Sequence, residues 1–302
     1  MRVLVTGGAG LIGMAARKIL AMRGHEITAI DIANHSRNDP ELILLGLTER
    51  APLEKLIRDA GIEAVVHCGA ISGPMLAKGR PLLLVATTID GTALPLDLAR
   101  TQNLRRFVFC SSIGVYGDVG DAVITERTPQ HPPSVYGATK VACEKLIEGF
   151  AAEYGLSGVS LRIARVYGPY RRANCHIGAM MRDADAGRIT EVACGANFPF
   201  HYVDVDDAVD ALAAALEAQV EPGTAYDISG PGAMTMPEIA ALAREVLPGA
   251  RIAIVPGEDD VADVQTAFDL SLAKQKLGWA PKRDIATGVR AYAEAIRAGQ
   301  AA

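Results

Sequence analysis

Aromatic residues are scarce in this chain of 302 residues. Phe, Trp and Tyr together make up 5% of the chain, with a single Trp, although half of all residues are hydrophobic. Ala, Val, Leu and Ile therefore supply most of the apolar content. This composition disfavours a β-sandwich and favours helices packed on a buried sheet. The length allows one large α/β domain or two lobes that share a core.

Cysteine is also sparse, and its spacing argues against two further classes of protein. The five cysteines form no C-x-x-C pair and are widely separated, at Cys68, Cys110, Cys143, Cys175 and Cys194. A disulfide framework or a zinc site is therefore not expected, and we predict no metal ion and a reducing, cytoplasmic location. The amino-terminal stretch MRVLVTGGAG lacks the apolar segment of a secretory signal.

Concentrated positive charge and long apolar runs are absent as well. The chain has 30 Lys and Arg against 35 Asp and Glu, a formal net charge of −5, and no block of five or more basic residues. We therefore expect no nucleic-acid partner. No uninterrupted apolar run has the length needed to span a bilayer, so we expect no membrane partner either.

What the sequence does contain is a regular alternation of short apolar runs and helix-like segments. The predicted strands are residues 3–6, 26–31, 63–70, 105–112, 158–164 and 225–229. The predicted helices are residues 11–23, 52–61, 81–101, 134–154, 176–187, 204–218, 236–247, 271–277 and 285–298. This order predicts parallel strand pairing with right-handed crossovers, and hence an α/β fold with a doubly wound parallel sheet.

The alternation changes after residue 165, which suggests a division into two units. We predict a sheet domain from residues 1–165 and 203–228. A smaller α/β lobe at the carboxyl-terminal side would consist of residues 166–202 and 229–302.

A glycine-rich turn joins the first predicted strand to its helix. In VLVTGGAGLIG, Gly7, Gly10 and Gly13 are spaced three residues apart. Such spacing gives a tight turn, leaves the backbone free of side chains beside a pyrophosphate, and offers it the N–H groups at the start of a helix. We predict a dinucleotide site, with Leu11 and Ile12 in the same turn as further cofactor contacts.

The predicted cofactor site is completed by four positions outside the turn, namely Asp31, Gly69, Tyr136 and Lys140. Asp31 ends the second strand, where a carboxylate can accept hydrogen bonds from the adenosine ribose and would repel a 2′-phosphate. We therefore prefer NAD to NADP. Gly69, near the end of the third predicted strand, is included as a cofactor contact.

A tyrosine and a lysine follow one another at helical spacing in the stretch SVYGATK. Tyr136 and Lys140 are four residues apart, so they share one face of the predicted helix. A phenol with an ordinary pKa of about 10 is a poor base, and a neighbouring cation favours its ionised form. Ser112 ends the fourth strand and can hold a substrate oxygen while Tyr136 transfers the proton; Ser111 and Cys110 are alternatives for that role.

These residues resemble those of the extended short-chain dehydrogenase/reductase superfamily, and in particular its NAD-dependent epimerase/dehydratase group. The matching stretches are VTGGAGLIG, VVHCGA, DGTALPLDLA, FVFCSSIGVYG, SVYGATKVACEKL, LRIARVYGP, YVDVDDAVDA and KLGWAPK. The resemblance implies a Rossmann domain with a small substrate lobe, NAD as cofactor, and hydride exchange with an alcohol carbon of a sugar-type substrate. It places Ser112, Tyr136 and Lys140 at the catalytic positions. It also implies a two-fold dimer contact through helices 81–101 and 134–154.

The departures from the family pattern concern the substrate. Ile113 and Gly114 stand where acids assist elimination in dehydratases, so we do not expect assisted elimination. Phe200 stands where nucleotide-sugar enzymes of the group carry an arginine, and the stretch 255–268, where a second arginine is expected, is acidic. Both differences weaken the case for a nucleotide-diphosphate substrate.

Other residues are predicted to contact the substrate in addition to Ser112. Arg171 and Arg172 follow the stretch YGPY and could hold a carboxylate by paired hydrogen bonds. Ser72 and His201 complete the predicted substrate-binding set.

Three functions agree with this pattern. The first is a sugar or nucleotide-sugar epimerase that returns the hydride to its substrate. The second is an NAD-dependent dehydrogenase of a small sugar acid or polyol that releases NADH. The third is a dinucleotide-binding protein without turnover, which the intact Ser112, Tyr136 and Lys140 argue against.

Overall fold

The computed structural model describes residues 1–35, 39–171, 175–259 and 263–298. In chain order, the first elements are β1 (Arg2–Thr6), α1 (Leu11–Met22), β2 (Glu26–Asp31), β3 (Leu42–Leu44), α2 (Arg50–Asp59), β4 (Ala64–His67), α3 (Pro81–Val85), α4 (Gly91–Thr101), β5 (Arg106–Ser112), β6 (Gly120–Ile124) and α5 (Val135–Tyr154). The elements that follow are β7 (Gly158–Ile163), β8 (Arg165–Tyr167), α6 (His176–Asp185), β9 (Ile189–Ala193), β10 (Phe200–Asp204), α7 (Val205–Glu217), β11 (Ala225–Ile228), β12 (Ala233–Met234), α8 (Met236–Val246), β13 (Arg251–Val255), β14 (Gln265–Phe268), α9 (Ser271–Leu277) and α10 (Ile285–Arg297). Short 3₁₀ turns cover Pro74–Ala77 and Ile113–Val115, and a π-helical turn, Ala86–Asp90, joins α3 to α4.

A parallel sheet of seven strands dominates the described part of the chain. Its spatial order is β11-β7-β5-β4-β1-β2-β3, and every neighbouring pair is parallel. The chain thus runs outward from β1 in one direction and returns to continue from β4 in the other. This is the doubly wound Rossmann arrangement, and the predicted fold class is confirmed.

Alternation along the strands explains why both faces of this sheet are covered. Val3 and Val5 face a cluster that includes apolar residues of α1 and α7, whereas Leu4 faces a cluster that includes residues of α2, α4 and α5. Successive side chains of a strand point to opposite faces. Because both sets are apolar, the sheet is buried between two helical layers and its ligand-binding edge lies at the carboxyl ends of the strands.

A second core lies outside the large sheet. It contains apolar residues of α6, α8 and α10 together with Val192 of β9 and Phe200 and Tyr202 of β10. Three small sheets accompany it in the described residues, with orders β12-β10-β8, β13-β9 and β14-β6. These short strands were not predicted, because each contains few residues and pairs with a partner distant in sequence.

The division into two units at the stated boundaries remains a prediction. One segment of the predicted lobe packs elsewhere: Ala273 and Leu277 of α9, and Trp279 after it, belong to the core beneath the large sheet. The indole N–H of Trp279 donates to the carbonyl of Asp207 in α7 at 3.0 Å. The carboxyl-terminal part of the chain therefore contributes to both cores.

The helical run Pro81–Thr101 is long and apolar enough, by length and composition, to cross a membrane. Its most apolar window is 44% buried inside the fold, and core helices of soluble proteins meet the same criterion. Residues of this run such as Leu96 and Leu98 belong to the core on one face of the large sheet.

Candidate active site and cofactor cleft

The glycine turn between β1 and α1 is too tightly packed to accept a side chain at Gly7 or Gly13. A Cβ added to Gly7, whose φ is +67°, would lie 2.8 Å from backbone atoms of Cys68 and Gly69. A Cβ on Gly13 would lie 2.1 Å from the carbonyl oxygen of Gly7. Gly10 is the N-cap of α1, and no side chain caps this helix. The first-turn N–H groups, including those of Leu11 and Ile12, have no partner within a helix, so this turn fits a dinucleotide pyrophosphate.

Asp31 lies directly beside this turn, at the carboxyl end of β2. Its carboxylate accepts the N–H of Ala9 at 3.0 Å and the N–H of Ile32 at 2.7 Å. The side chain is partly exposed, which leaves room for a ribose contact. On the other side of the turn, the N–H of Gly69 donates to Thr6 Oγ1 at 3.1 Å. The roles assigned to Asp31 and Gly69 remain predictions that this placement supports.

Ser112 and Tyr136 both lie beside Gly114. A Cβ added to Gly114 would be 3.4 Å from Ser112 Oγ and 3.8 Å from Tyr136 Cε1. The Ser112 hydroxyl accepts the N–H of Gly114 at 3.1 Å. A Cβ on Gly137 would lie 2.3 Å from the Gly114 carbonyl oxygen, so a glycine at the start of α5 allows this close approach.

Lys140 lies one helical turn after Tyr136, beneath the same surface. Its side chain is almost completely buried, and Nζ donates to the carbonyl of Cys110 at 2.7 Å. Nζ is 4.6 Å from the ring centroid of Phe109 and 5.8 Å from that of Tyr136. A buried ammonium beside a partly exposed phenol is the arrangement that favours the ionised phenol. The structure therefore brings the three predicted catalytic residues together at the carboxyl end of β5.

A buried polar network continues from this cluster into the core. Glu144 follows Lys140 on the same face of α5 and forms an ion pair with Arg162 at 2.8 Å, with both side chains at most 5% exposed. Ser111 Oγ donates to Glu144 at 2.5 Å. Arg162 also donates to the hydroxyl of Tyr116, which donates to Asp227 at 2.7 Å. Burial raises the pKa of Asp227 to about 7, although the hydrogen bond from Tyr116 acts in the opposite direction. The network links β5, α5, β7 and β11 around the site.

His67 is a buried histidine that sequence reasoning did not single out. Its ring lies between Thr6 Oγ1 at 2.8 Å and Thr92 Oγ1 at 3.1 Å. Burial, and then the positive charge of Lys140, lower the pKa of His67 to about 3. A histidine that stays neutral in this way joins β1 and β4 to α4 and is suited to packing rather than to proton transfer.

Two of the five cysteines meet at the edge of the cleft. The Sγ atoms of Cys68 and Cys110 are 3.4 Å apart. His67, the last residue of β4, pairs with Phe109 of β5, so the residues that follow them, Cys68 and Cys110, lie side by side. The register of the two strands, rather than any C-x-x-C spacing, is the signal that could have predicted this pair.

The predicted substrate-binding residues differ from the catalytic residues in their contacts and exposure. His201 is buried, and its ring nitrogens lie 2.8 Å from the carbonyl oxygen of Gln265 and 3.4 Å from Ser229 Oγ. These contacts hold β10 to β14, and the substrate role of His201 remains a prediction that its burial does not support. Ser72 is exposed in the loop after β4. Arg171 donates from Nη1 to the carbonyl of Val166 at 2.6 Å and so turns back onto its own segment. Arg172 lies outside the described residues.

A polar cluster on the lobe side of the cleft was missed by the sequence analysis. Arg165 forms an ion pair with Asp259, and its guanidinium lies 5.1 Å from the ring centroid of Phe200. His176 Nε2 is 2.8 Å from the second carboxylate oxygen of Asp259. These residues, which we call the lobe cluster (Arg165, His176, Phe200, Asp259), come from four separate segments. Among the described residues, no group of three His, Cys, Asp or Glu side chains could hold a metal ion.

Comparison with known proteins identifies the family. The sequence model of the NAD-dependent epimerase/dehydratase family matches residues 3–229. The chain belongs to this family. Its members include relatives that match nearly the whole chain: a UDP-glucose 4-epimerase from Corynebacterium glutamicum is 29% identical over 93% of this chain and 91% of its own length. A dTDP-glucose 4,6-dehydratase from Neisseria meningitidis is 27% identical over 96% of this chain and 91% of its own length.

Solved structures agree with this epimerase/dehydratase assignment. The UDP-glucose 4-epimerase of Thermotoga maritima, determined with UDP-glucose, has a TM-score of 0.90 at 27% identity and covers 99% of both chains. The Thermus thermophilus enzyme, determined with NAD, has a TM-score of 0.88 at 26% identity, with 98% of this chain and 99% of that chain covered. The predicted resemblance is confirmed: the relatives are NAD-dependent epimerases and dehydratases of the extended short-chain dehydrogenase/reductase type.

Proposed function

We propose that this protein is an NAD-dependent oxidoreductase of the epimerase/dehydratase type that acts by hydride transfer at a secondary alcohol of a sugar-type substrate. The observation that carries the proposal is the joint placement of Ser112, Tyr136 and Lys140 at the carboxyl end of β5. Parallel sheets of this kind bind ligands at that edge. Family membership and the sugar-nucleotide relatives support the same reading.

Each of the three residues has a distinct task in the proposed reaction. Ser112 holds the substrate oxygen, with its own position set by the N–H of Gly114. Tyr136 takes the proton from the alcohol, or returns it when the reaction reverses. Lys140 stabilises the phenolate electrostatically, because its ammonium, held by the carbonyl of Cys110, lies 5.8 Å from the ring centroid of Tyr136.

NAD is the proposed cofactor, and it would supply the hydride acceptor. The turn Gly7–Gly13 and the start of α1 would hold its pyrophosphate, and Asp31 would hold the adenosine ribose. The fit of these residues supports the proposal: the turn has no room for a side chain at Gly7 or Gly13, and the N–H of Ala9 in the same turn orients the Asp31 carboxylate. The NAD complex of the Thermus thermophilus relative is in agreement.

Replacement of Tyr136 by Phe tests the proposed chemistry. The substitution removes the hydroxyl but keeps the ring, so we expect the turnover number to fall by about 10²–10⁴-fold while the melting temperature stays unchanged. Turnover is measured with NAD and a panel of sugars, sugar acids and nucleotide sugars, with chromatography of the products. Unchanged turnover of every substrate by the Tyr136→Phe variant would contradict the assignment.

The same assay separates an epimerase from a dehydrogenase. Steady growth of the absorbance of NADH identifies release of the reduced cofactor and therefore a dehydrogenase. An epimerised sugar without NADH accumulation identifies return of the hydride to the substrate.

We further propose a homodimer formed through α3, α4 and α5. Leu82 is 81% exposed, and Leu83, Val135 and Tyr154 are 44–55% exposed on the same helices, which suits a two-fold contact. Sedimentation at micromolar concentration should show a dimer for the wild type and a monomer for Leu82→Glu. The control is Ile189→Glu, which changes an exposed residue of β9 and should leave the dimer intact. A wild-type monomer would contradict this proposal.

A cytoplasmic location and a small-molecule partner complete the proposal. All five cysteines are free thiols in the structure, which suits a reducing compartment. The net charge of −5 does not favour nucleic acid. Immunodetection after cell fractionation tests the location.

A further inference from the structure

Two thiols are in contact at the carboxyl ends of β4 and β5. The Sγ atoms of Cys68 and Cys110 are 3.4 Å apart, so the two side chains point toward each other on one face of the large sheet. Neighbouring strands lie about 4.7–4.9 Å apart, which is within the range of Cα separations, about 4.4–6.8 Å, that a disulfide can join. The backbone therefore already holds the two cysteines at a spacing suited to a covalent bond.

The two thiols differ in their access to solvent. Cys68, which follows the last residue of β4, is partly exposed, whereas Cys110 of β5 is 6% exposed. The other three cysteines, Cys143, Cys175 and Cys194, are buried. A small oxidant that enters the cleft from solvent consequently meets the sulfur of Cys68 first and finds a second thiol in contact with it.

Each of the two cysteines also touches a part of the proposed site. A Cβ added to Gly7 would lie 2.8 Å from the backbone carbonyl atoms of Cys68, so this residue packs directly against the glycine turn. The carbonyl of Cys110 accepts the hydrogen bond from Lys140 Nζ at 2.7 Å. A bond between the two side chains would therefore join the backbone that supports the cofactor turn to the carbonyl that holds the lysine.

We propose that Cys68 and Cys110 form a reversible disulfide, a modification site whose oxidation weakens the binding of NAD. The bond draws the two strand ends together and so displaces the backbone on which the glycine turn and Lys140 depend. Its formation stands on the contact of the two thiols, whereas its effect on NAD rests on the proposed function. Disulfides in a reducing compartment are usually transient and serve catalysis or redox sensing.

A peroxide is the oxidant in the proposed reaction. The Cys68 thiolate attacks an oxygen of hydrogen peroxide and the O–O bond breaks, which gives a sulfenic acid and a hydroxide ion that takes up the proton lost by the thiol. The sulfur of Cys110 then attacks the sulfenic sulfur, so the S–S bond forms, the S–O bond breaks, and the hydroxyl group leaves with the second thiol proton as water. The two thiols lose two electrons and two protons, and one peroxide becomes two molecules of water.

The surroundings of Cys68 set the rate of this oxidation. The contact with Cys110, followed by burial, raises the pKa of the Cys68 thiol above its ordinary value, and the positive charge of Lys140 acts in the opposite direction. Since the thiolate is the form that attacks the oxidant, the reaction is slow at neutral pH and becomes faster as the pH rises.

Mass spectrometry of the reduced, full-length protein tests whether the bond forms. Diamide, which takes two electrons and two protons from a pair of thiols without adding oxygen, is applied to the folded protein, and the remaining thiols are then alkylated after denaturation. We expect alkylation of three of the five cysteines and a linked pair of peptides that contain Cys68 and Cys110. Dithiothreitol should restore all five thiols, and hydrogen peroxide should give the same linked peptides.

The effect on the cofactor site is measured in two ways. Calorimetric titration should show that NAD binds at least about tenfold more weakly to the oxidised than to the reduced protein, a coupling of ordinary size between two sites. Because such coupling is reciprocal, saturating NAD should favour the dithiol by the same factor. The reduction potential of the pair, measured in dithiothreitol buffers, should then rise by about 30 mV for a tenfold effect.

Single variants of the two cysteines locate the effect. Neither Cys110→Ser nor Cys68→Ser can form the bond, so the NAD affinity of each variant should be the same before and after diamide treatment. Cys68→Ser, at the more exposed position, keeps the test available if Cys110→Ser does not fold. The matched control is Cys194→Ala, which removes a buried cysteine of the second core and should retain both the disulfide and the response to diamide.

The outcomes distinguish this inference from the proposed function. Five alkylated cysteines after diamide treatment, or a disulfide between any other pair, would overturn the inference while leaving hydride transfer in place. A Cys68–Cys110 disulfide that changes neither the NAD affinity nor the reduction potential in a protein that binds NAD would also overturn it. The same disulfide in a protein that binds NAD in neither state would support the modification site and contradict the proposed cofactor site.

Discussion

The two walls of the cleft are built in different ways. The wall formed by the large sheet takes its polar groups from a few continuous segments: the glycine turn, the end of β5 and one face of α5. Behind it lies the closed network of Ser111, Glu144, Arg162, Tyr116 and Asp227. The wall formed by the lobe takes Arg165 and Asp259 from positions 94 residues apart.

This difference separates the chemistry of the protein from its choice of substrate. The sheet wall carries the residues proposed for proton transfer and cofactor binding, and buried hydrogen bonds hold them. The lobe wall carries its groups on short strands and connecting segments, and two of them, Arg165 and His176, are partly exposed. We therefore expect substitutions in the network to affect stability most and substitutions in the lobe cluster to affect substrate preference most.

Breaking the buried ion pair provides the strongest test of this comparison. Glu144→Gln leaves Arg162 as a buried cation without its ionised partner, so we expect the free energy of unfolding to fall by about 3–5 kcal/mol. Urea denaturation measures the change. The matched control is Asp183→Asn, which breaks the ion pair with the exposed Arg188 in the lobe and should cost at most about 1 kcal/mol. Equal effects of the two substitutions would contradict the contrast.

The glycine turn gives a second test, directed at cofactor binding. A Cβ at Gly13 would overlap the carbonyl oxygen of Gly7, so Gly13→Ala must displace the turn. We expect NAD to bind at least about 100-fold more weakly, a loss of about 2.7 kcal/mol. Titration of the protein with NAD, followed by calorimetry, measures the affinity. Gly149→Ala is the control, because a Cβ at this position of α5 has no atom within 4 Å and should leave NAD binding unchanged. An unaltered NAD affinity for Gly13→Ala would show that the turn is not the cofactor site.

The pH dependence of stability gives a smaller and more specific test. The pKa of Asp227 is raised by burial to about 7, so between about pH 4 and 7 the folded protein holds a proton at this carboxyl that the unfolded chain has lost. Its contribution to stability is therefore complete below about pH 4 and declines as the pH rises through about 7. Asp227→Asn should remove this decline from unfolding free energies measured by urea denaturation across that range.

Asp284 provides a control for the Asp227 measurement, because its pKa is shifted in the opposite direction. The N–H of Thr287 lowers the pKa of Asp284 at the start of α10, so its contribution is lost as the pH falls through its folded pKa. Asp284→Asn should consequently remove this fall of stability toward acidic pH and leave the decline near neutrality in place. The same pH profile for Asp227→Asn and the wild type would contradict the proposed role of Asp227.

Features that are local in sequence could be predicted. The glycine spacing, the four-residue interval between Tyr136 and Lys140, and the position of Ser112 at a strand end each depend on one short segment. Local hydrophobic periodicity also predicted the strands of the large sheet, apart from the three-residue β3. It predicted the helices that pack against this sheet as well.

The features that could not be predicted depend on tertiary contacts. His201 and Arg171 have residue types suited to substrate binding, but their hydrogen-bond partners, Gln265 and Val166, are set by packing. The pairing of Arg165 with Asp259 requires the course of the chain through the lobe. The neighbouring Cys68 and Cys110 are an intermediate case, because the aligned ends of two predicted parallel strands already place them side by side.

The pairing of β14 with β6 makes the two parts of the molecule difficult to separate. Gln265 donates from its side-chain amide to the carbonyls of Ile113 and Gly117, in the segment that immediately follows Ser112. The carbonyl of Val264 accepts the N–H groups of Val119 and Gly120. Residues beyond 229, where the family match ends, thus brace the loop that carries the serine. An exchange of carboxyl-terminal segments between related enzymes would consequently alter the backbone around the reacting oxygen together with the substrate pocket, so specificity in this fold cannot be transplanted as an independent module.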